Sequence, residues 1–336
     1  MNVLAVRQDN NGDVLLAGPA LRALAAKAAR VALVCGPSGA AAANALPGID
    51  ETIVFEAPWI EANPRPLDAR ATDAFVRRIA AAAYDAAVIF TSFHQSALPA
   101  ALLLRLAGVP RIGAISVDYP GALLDVRHRV DEGLHEVERA LSLAEAAGFP
   151  LPPDDDGRLA MRIAERNPVD GIGPYVVVHP GATVPARAWN PERNRALVAR
   201  LARDSAIVVT GSPAERALCA YVAGADAVNL CGETDFATLA AVIAGARAVV
   251  VGNTGAAHVA AAAGTPVVSL FAPTIPNARF HPWRVPHVTL GDQSISCAGC
   301  RARECPFARQ PCLDTVTVGD VVQALAALRG LPELVS

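Results

Sequence analysis

The sequence predicts an α/β protein made of two doubly wound, parallel-sheet units, and three observations carry that expectation. Short β-branched runs alternate with helical patterns along the chain, a Pro- and Asp-rich break interrupts the alternation near its middle, and 336 residues suffice for two ordinary domains. Strands of a parallel sheet are covered on both faces by crossover helices, so they read as continuous apolar runs.

The first series of runs lies at residues 3–6, 31–35 and 87–90. After the first run, Val14, Leu15, Leu16, Leu21 and Leu24 mark a helix, which Pro19 should kink or restart after about one and a half turns. The second series lies at residues 176–179, 207–210, 249–251 and 267–271. Between the two series come Phe149-Pro150-Leu151-Pro152-Pro153-Asp154-Asp155-Asp156-Gly157 and a second break, Asp170-Gly171-Ile172-Gly173-Pro174. The expected domains are therefore residues 1–168 and 169–336, with the last helix packing back toward the amino-terminal one. The flanking prolines make Asp154 to Asp156 a solvated linker and not a metal motif. Ligands of doubly wound sheets gather outside the carboxyl ends of the strands, which places the expected site in a cleft between the halves.

With a net charge of -3 and no dense Lys/Arg stripe, nucleic acid is an unsuitable partner. Met1-Asn2 leads into the first strand with no basic segment and no small-residue cleavage site, so a cytoplasmic location is expected. The most apolar stretch, residues 256–273, is broken by His258, Gly264 and Pro266 and parses as a helix followed by a buried strand. No basic amphipathic helix is evident, so any contact with the inner face of a membrane would be transient.

The most informative segment is Val249-Val250-Val251-Gly252-Asn253-Thr254-Gly255-Ala256-Ala257-His258, a β-branched run that feeds a loop of small residues and opens into an alanine-rich helix. The first amides of such a helix have no intrahelical partners, the macrodipole adds positive potential, and Gly255 leaves room for a phosphate. Asn253 or Thr254 is placed to cap the helix, and His258 follows one turn on. A nucleotide diphosphate is the natural ligand, although similar turns occur in proteins that bind nothing there.

The loop after the first strand, Arg7-Gln8-Asp9-Asn10-Asn11-Gly12-Asp13, lacks the Gly-x-Gly-x-x-Gly fingerprint. The second strand ends Val34-Cys35-Gly36-Pro37 with no acid, which argues against a nicotinamide dinucleotide. Asp13 either caps its helix or serves as a base. Arg187 reads equally as a surface charge before a helix beginning near Pro191, and Glu215 as a first-turn acid that complements the helix dipole.

Four ordered blocks together resemble the heptosyltransferase-type glycosyltransferases of family 9. They are Asn11-Gly12-Asp13-Val14-Leu15 with Gly18-Pro19-Ala20-Leu21-Arg22-Ala23-Leu24; His179-Pro180-Gly181-Ala182 with Arg187-Ala188-Trp189-Asn190-Pro191-Glu192-Arg193; Gly211-Ser212-Pro213-Ala214-Glu215; and Gly252 to His258. The resemblance spans nearly the whole chain and implies a GT-B fold of two Rossmann-like domains, the first holding the acceptor and the second the donor. It also implies an inverting mechanism without a catalytic metal or other required cofactor. It makes Asp13 the general base, sets Arg187 against the donor's diphosphate, brings Glu215 to the ribose and gives the glycine loop to phosphate. The site residues so implied are Asp13 and Arg187 as catalytic, and Gly12, Thr183, Glu215, Asn253, Thr254, Gly255 and His258 as donor-binding. Two positions depart from the family pattern: Asn253 stands where many members carry an acid, and Arg187 where lysine is common, a planar fork in place of a point charge.

Cys297, Cys300, Cys305 and Cys312 crowd one loop, while Cys35, Cys219 and Cys231 are scattered in apolar contexts as small core residues. The four clustered thiols have metal-compatible separations, so a structural zinc or iron–sulfur site stands beside reduced thiols as a reading. The chain is thus expected to move a sugar, heptose from an ADP-linked donor first, to a hydroxyl of a glycan, glycolipid or small molecule. The alternatives are transfer from another nucleotide sugar, a sugar-nucleotide epimerase or hydrolase, and a nucleotide-binding protein without catalysis. An epimerase would need further carboxylates around the sugar, and no second convincing one is evident.

Overall fold

The continuous apolar runs become strands covered on both faces. In the computed structural model, residues 1–60, 64–92, 95–307 and 309–329 are described, and the chain divides into two units, Met1–Met161 and Arg162–Ser336. The first unit holds β1 (Asn2–Val6), β2 (Arg30–Cys35), β3 (Glu51–Val54), β4 (Ala86–Ile89), β5 (Ile112–Ile115) and β6 (Val126–His128), in the order β3-β2-β1-β4-β5-β6. The second holds β7 (Tyr175–His179), β8 (Ala206–Val209), β9 (Val228–Asn229), β10 (Ala248–Gly252), β11 (Val267–Leu270) and β12 (His287–Leu290), in the order β12-β11-β10-β7-β8-β9. Every pairing is parallel, and each sheet has the Rossmann-type order. Direction of winding reverses between β1 and β4 in the first unit and between β7 and β10 in the second. The loops that leave β1, β7 and β10 therefore open where doubly wound sheets receive ligands.

All seven runs expected as strands form, as β1, β2, β4, β7, β8, β10 and β11. The remaining strands are the four sheet edges, β3, β6, β9 and β12, together with β5. Edge strands bury less: β9 is two exposed residues, and all of β6 and β12 is only partly covered, so their apolar signal is weak. Gly113 interrupts the run of β5. In the interior the signal is strong because burial is complete. Val176, Val178, Val250 and Val268 in one core, and Leu4, Ala32 and Ile89 in the other, are almost entirely removed from water. Burying each valine or larger side chain contributes about 1.5–3 kcal/mol.

The first helix covers Asn11–Leu16 and a second covers Gly18–Ala25, with Pro19 in its first turn, where a missing amide is harmless. The acidic linker is less solvated than its composition suggests. Arg22 clamps Asp155 through Nε and Nη2 at 2.6 and 2.7 Å and also donates to the Arg158 carbonyl at 2.9 Å. Hydrogen bonding from Arg22 holds the Asp155 carboxyl below its ordinary range. The last helix, Val318–Arg329, lies against the helix Pro191–Leu201 and against β10, β11 and β12 of its own unit. Residues 330–336 of the expected second domain lie outside the described residues. Among the described residues, no helix is long and apolar enough to cross a membrane.

Candidate functional site

In the first unit, β1 hands the chain to a short loop whose Asn10 is the extended residue before the helix Asn11–Leu16. Asp13 therefore sits inside the first turn, after the cap position, and its carboxylate faces other side chains in place of helix amides. Arg7 Nη2 donates to Asp13 Oδ1 at 3.2 Å, and Ser92 Oγ approaches the same oxygen at 3.4 Å. Gly12 beside it is buried. Asp13 is 20% exposed, while Arg7, at 3%, is enclosed. Burial works against the Arg7 charge, but Asp9, Asp13 and Glu136 together hold the guanidinium above its ordinary value. Burial likewise pushes the Asp9 carboxyl up to about 6, against the opposing pull of Arg7.

In the second unit, β10 delivers Gly252 to the loop and Thr254 to the position before the helix Gly255–Ala262. Thr254 is extended and makes no side-chain capping bond, while its carbonyl accepts the Ala257 amide at 3.1 Å. Asn253 does not cap either: its Nδ2 donates to the Ala272 carbonyl at 3.4 Å. Its Oδ1 and Thr254 Oγ1 are buried without a hydrogen-bond partner. Gly255 opens the helix, and His258 is buried one turn into it. Arg187 closes this constellation. A methyl group at position 252 would stand 2.7 Å from the Arg187 carbonyl oxygen, so the arginine loop lies directly over the glycine loop. The Arg187 Nε donates to Thr274 Oγ1 at 3.1 Å, which fixes the guanidinium.

Glu215 ends a short 3-10 turn, Pro213–Glu215, and forms a capping box with Ser212, accepting from that residue's amide and hydroxyl at 2.7 Å each. Its other oxygen rests against Gly181, where any Cβ would collide with the carboxylate. The loop between β7 and the helix Pro191–Leu201 thus touches Glu215 through Gly181 and Gly252 through Arg187, and carries Thr183 exposed between them. The structure brings Arg187, Asn253, Thr254 and Gly255 into one neighbourhood and gathers Gly12 and Asp13 with Arg7 and Asp9 in the other unit.

Comparison with known proteins decides the lineage. The model of glycosyltransferase family 9 (heptosyltransferase) matches residues 72–310. The chain belongs to that family. No curated protein sequence matches it. Among solved structures, E. coli ADP-heptose LPS heptosyltransferase II superposes with a TM-score of 0.76 at 19% identity, covering 98% of each chain. The E. coli heptosyltransferase WaaC with ADP-2-deoxy-2-fluoro heptose gives 0.75 at 24% identity, covering 97% of this chain and 99% of that one. A family 9 glycosyl transferase from Veillonella parvula gives 0.76 at 17%, covering 97% and 96%. The two parallel six-stranded sheets are those of the GT-B fold, and the protein is a glycosyltransferase.

Within this family 9 chain the cysteines fall into two groups. Cys219 and Cys231, scattered in sequence, come together: a methyl at Gly211 would lie 2.6 Å from one sulfur and 3.0 Å from the other. Burial, then the neighbouring thiol, raises the Cys219 thiol far above its ordinary range, which makes it a packing residue and not a nucleophile. Burial, then the neighbouring Cys297, Cys305 and Cys300, raises the Cys312 thiol. Among the described residues no group of three or more His, Cys, Asp or Glu side chains is placed to hold a metal ion, and all four thiols are free. Their surroundings differ, with Cys300 exposed and Cys312 buried in the core beneath β12. Their loop instead braces the arginine loop, since Ala186 donates its amide to the Arg303 carbonyl at 2.9 Å and accepts from Gln310. A cavity of about 530 Å³ beside β3, lined by Val54, Phe55, Arg65, Leu67, Phe75 and Arg78, includes none of the expected site residues.

Sequence reasoning did not find Arg7, Asp9 and Glu136 around Asp13, or Thr274 behind Arg187. The Arg7-x-Asp9 pair was visible in the loop, but its partners come from distant segments. Thr274 is 87 residues from Arg187 and has no local signature.

Proposed function

We propose that the protein transfers heptose from ADP-heptose to a hydroxyl of a glycan or glycolipid, with inversion at the anomeric carbon. The observation that carries this reading is Arg187 laid over an uncapped helix start, with Thr274 holding its guanidinium. As the anomeric C–O bond breaks, negative charge builds on the leaving diphosphate. The Arg187 fork and the N-terminus of the helix Gly255–Ala262 supply positive potential there. Asn253 Oδ1 and Thr254 Oγ1, buried without partners, await polar groups of a ligand. Glu215, held by Ser212 through one oxygen, offers the other to ribose hydroxyls. Asp13 takes the proton from the acceptor hydroxyl, and that oxygen forms the new glycosidic bond while ADP leaves. Family membership and the ADP-heptose enzymes among the similar structures support the choice of donor. The acceptor belongs to the first unit and the donor to the second, and the enzyme works in the cytoplasm, meeting a membrane-borne acceptor transiently.

Thermal unfolding with ADP, UDP, GDP and dTDP tests the donor base. A ligand that binds only the folded state stabilises it by about 2.7 kcal/mol at a hundredfold excess over Kd. ADP should raise the midpoint most. A larger shift with a pyrimidine or guanine diphosphate would transfer the reading to another nucleotide sugar. Transfer should also persist in excess EDTA, since the leaving charge is met by protein groups. Complete loss with intact folding, restored by magnesium, would contradict this mechanism.

A further inference from the structure

Three carboxylates converge on the single guanidinium of Arg7. Its Nε lies 2.9 Å from Asp9 Oδ2, and its Nη2 lies 3.2 Å from Asp13 Oδ1 and 3.8 Å from Glu136 Oε2. Asp9 and Glu136 are enclosed, while Asp13 keeps access to solvent. Asp9 is held from its far side by the Gln95 amide. Arg139 lies 3.5 Å from Glu136 Oε1 and shares that carboxylate. An arginine paired with one catalytic carboxylate would bind it firmly and oppose its taking up a proton. An arginine shared among three orients the carboxylate and leaves it available.

We propose that Asp9 is a positioning residue that competes with Asp13 for Arg7, keeping Asp13 available to accept the proton of the acceptor hydroxyl. When Asp9 is neutral, Arg7 turns its charge wholly to Asp13 and transfer slows. This rests on the reading of Asp13 as the base. Among the described residues, the charged groups that bear on Asp9 are Arg7 and Asp13 from its own loop and the first helix, and Glu136 from the helix Glu136–Ala146, whose other oxygen Arg139 faces. His135 precedes that helix and accepts the Val137 amide at Nδ1, and the segment after β4 adds the neutral Ser92 and Gln95. Burial first, with Asp13 and Glu136 adding to it and Arg7 opposing, lifts the Asp9 carboxyl to about 6. Its proton is therefore gained as pH falls through about 6, and the rate falls with it.

Two readouts test this in the intact chain. The first is the carboxyl-carbon NMR shift of Asp13, which should show a step near pH 6 in the wild type and none there in Asp9→Asn. The second is kcat/KM from pH 5 to 8, with ADP-heptose and lipopolysaccharide as acceptor. The wild type should show an acid limb near pH 6, and Asp9→Asn should lack it, resting near the low plateau with ADP affinity unchanged. Glu136→Gln removes one negative neighbour while Asp9 still titrates, so both features should move to lower pH. That variant decides the matter should Asp9→Asn fail to fold. An Asp13 step or acid limb that stays in place in Asp9→Asn, or in Glu136→Gln, overturns the proposal. Near-normal turnover in Asp13→Asn would instead remove the base reading on which it stands, whatever the Asp9 variant does.

Discussion

A single methyl group at position 252 would meet the carbonyl oxygen of Arg187 at 2.7 Å, and backbone cannot step aside as a flexible side chain can. Gly252→Ala should therefore push the arginine loop off the glycine loop. Overpacking of this kind costs roughly 1–3 kcal/mol, about tenfold or more in nucleotide affinity where the strain falls on the bound geometry. Calorimetry with ADP on the folded variant checks it, and an unchanged Kd would separate Arg187 from the diphosphate. Residue-scale reasoning also shows what sequence reveals of a site. The small-residue loop from Gly252 to Gly255 was legible because strand, loop and helix start are adjacent in the chain. The support for Arg187 from Thr274 and the approach of Glu136 to Arg7 were not, because the fold brings these groups from segments far apart in sequence.

Among elements, the same logic separates interior from edge. β1, β4, β7 and β10 are apolar through their buried centres because both faces are covered, and they were legible as runs. β3, β6, β9 and β12 have one neighbour each and carry mixed sequences that no local pattern distinguishes from loop. The acidic linker shows composition misleading in another way, since a run of three aspartates reads as solvated although the middle one is bound by Arg22. Asp155→Asn should cost about 1.5–3 kcal/mol at pH 7, the scale of a hydrogen-bonded charge. The Asp155 carboxyl is depressed in the folded chain, so its contribution is present above the unfolded carboxylate value of about 4 and is lost as pH falls through the folded one. Denaturant titrations of both proteins should therefore differ at pH 7 and converge in acid. An equal gap at every pH would mean that the pair contributes packing alone.

At the scale of the whole molecule, one chain carries two sheets of the same strand order, and each presents a different chemistry at the carboxyl ends of its strands. The first unit concentrates carboxylates around a buried arginine, suited to moving a proton. The second offers a cation over a helix N-terminus, suited to a leaving diphosphate. Family 9 membership makes the chain a glycosyltransferase, and the function proposed above assigns its proton transfer to Asp13. The measurement that tests this most directly is turnover of Asp13→Asn under saturating concentrations of the proposed ADP-heptose donor and a glycan or glycolipid acceptor, beside its ADP affinity. The mutant should fold, bind ADP as the wild type does, and turn over about a hundredfold or more slowly, the scale of a lost general base. A folded mutant that binds ADP and transfers at a near-normal rate, with chemistry limiting, would contradict the account.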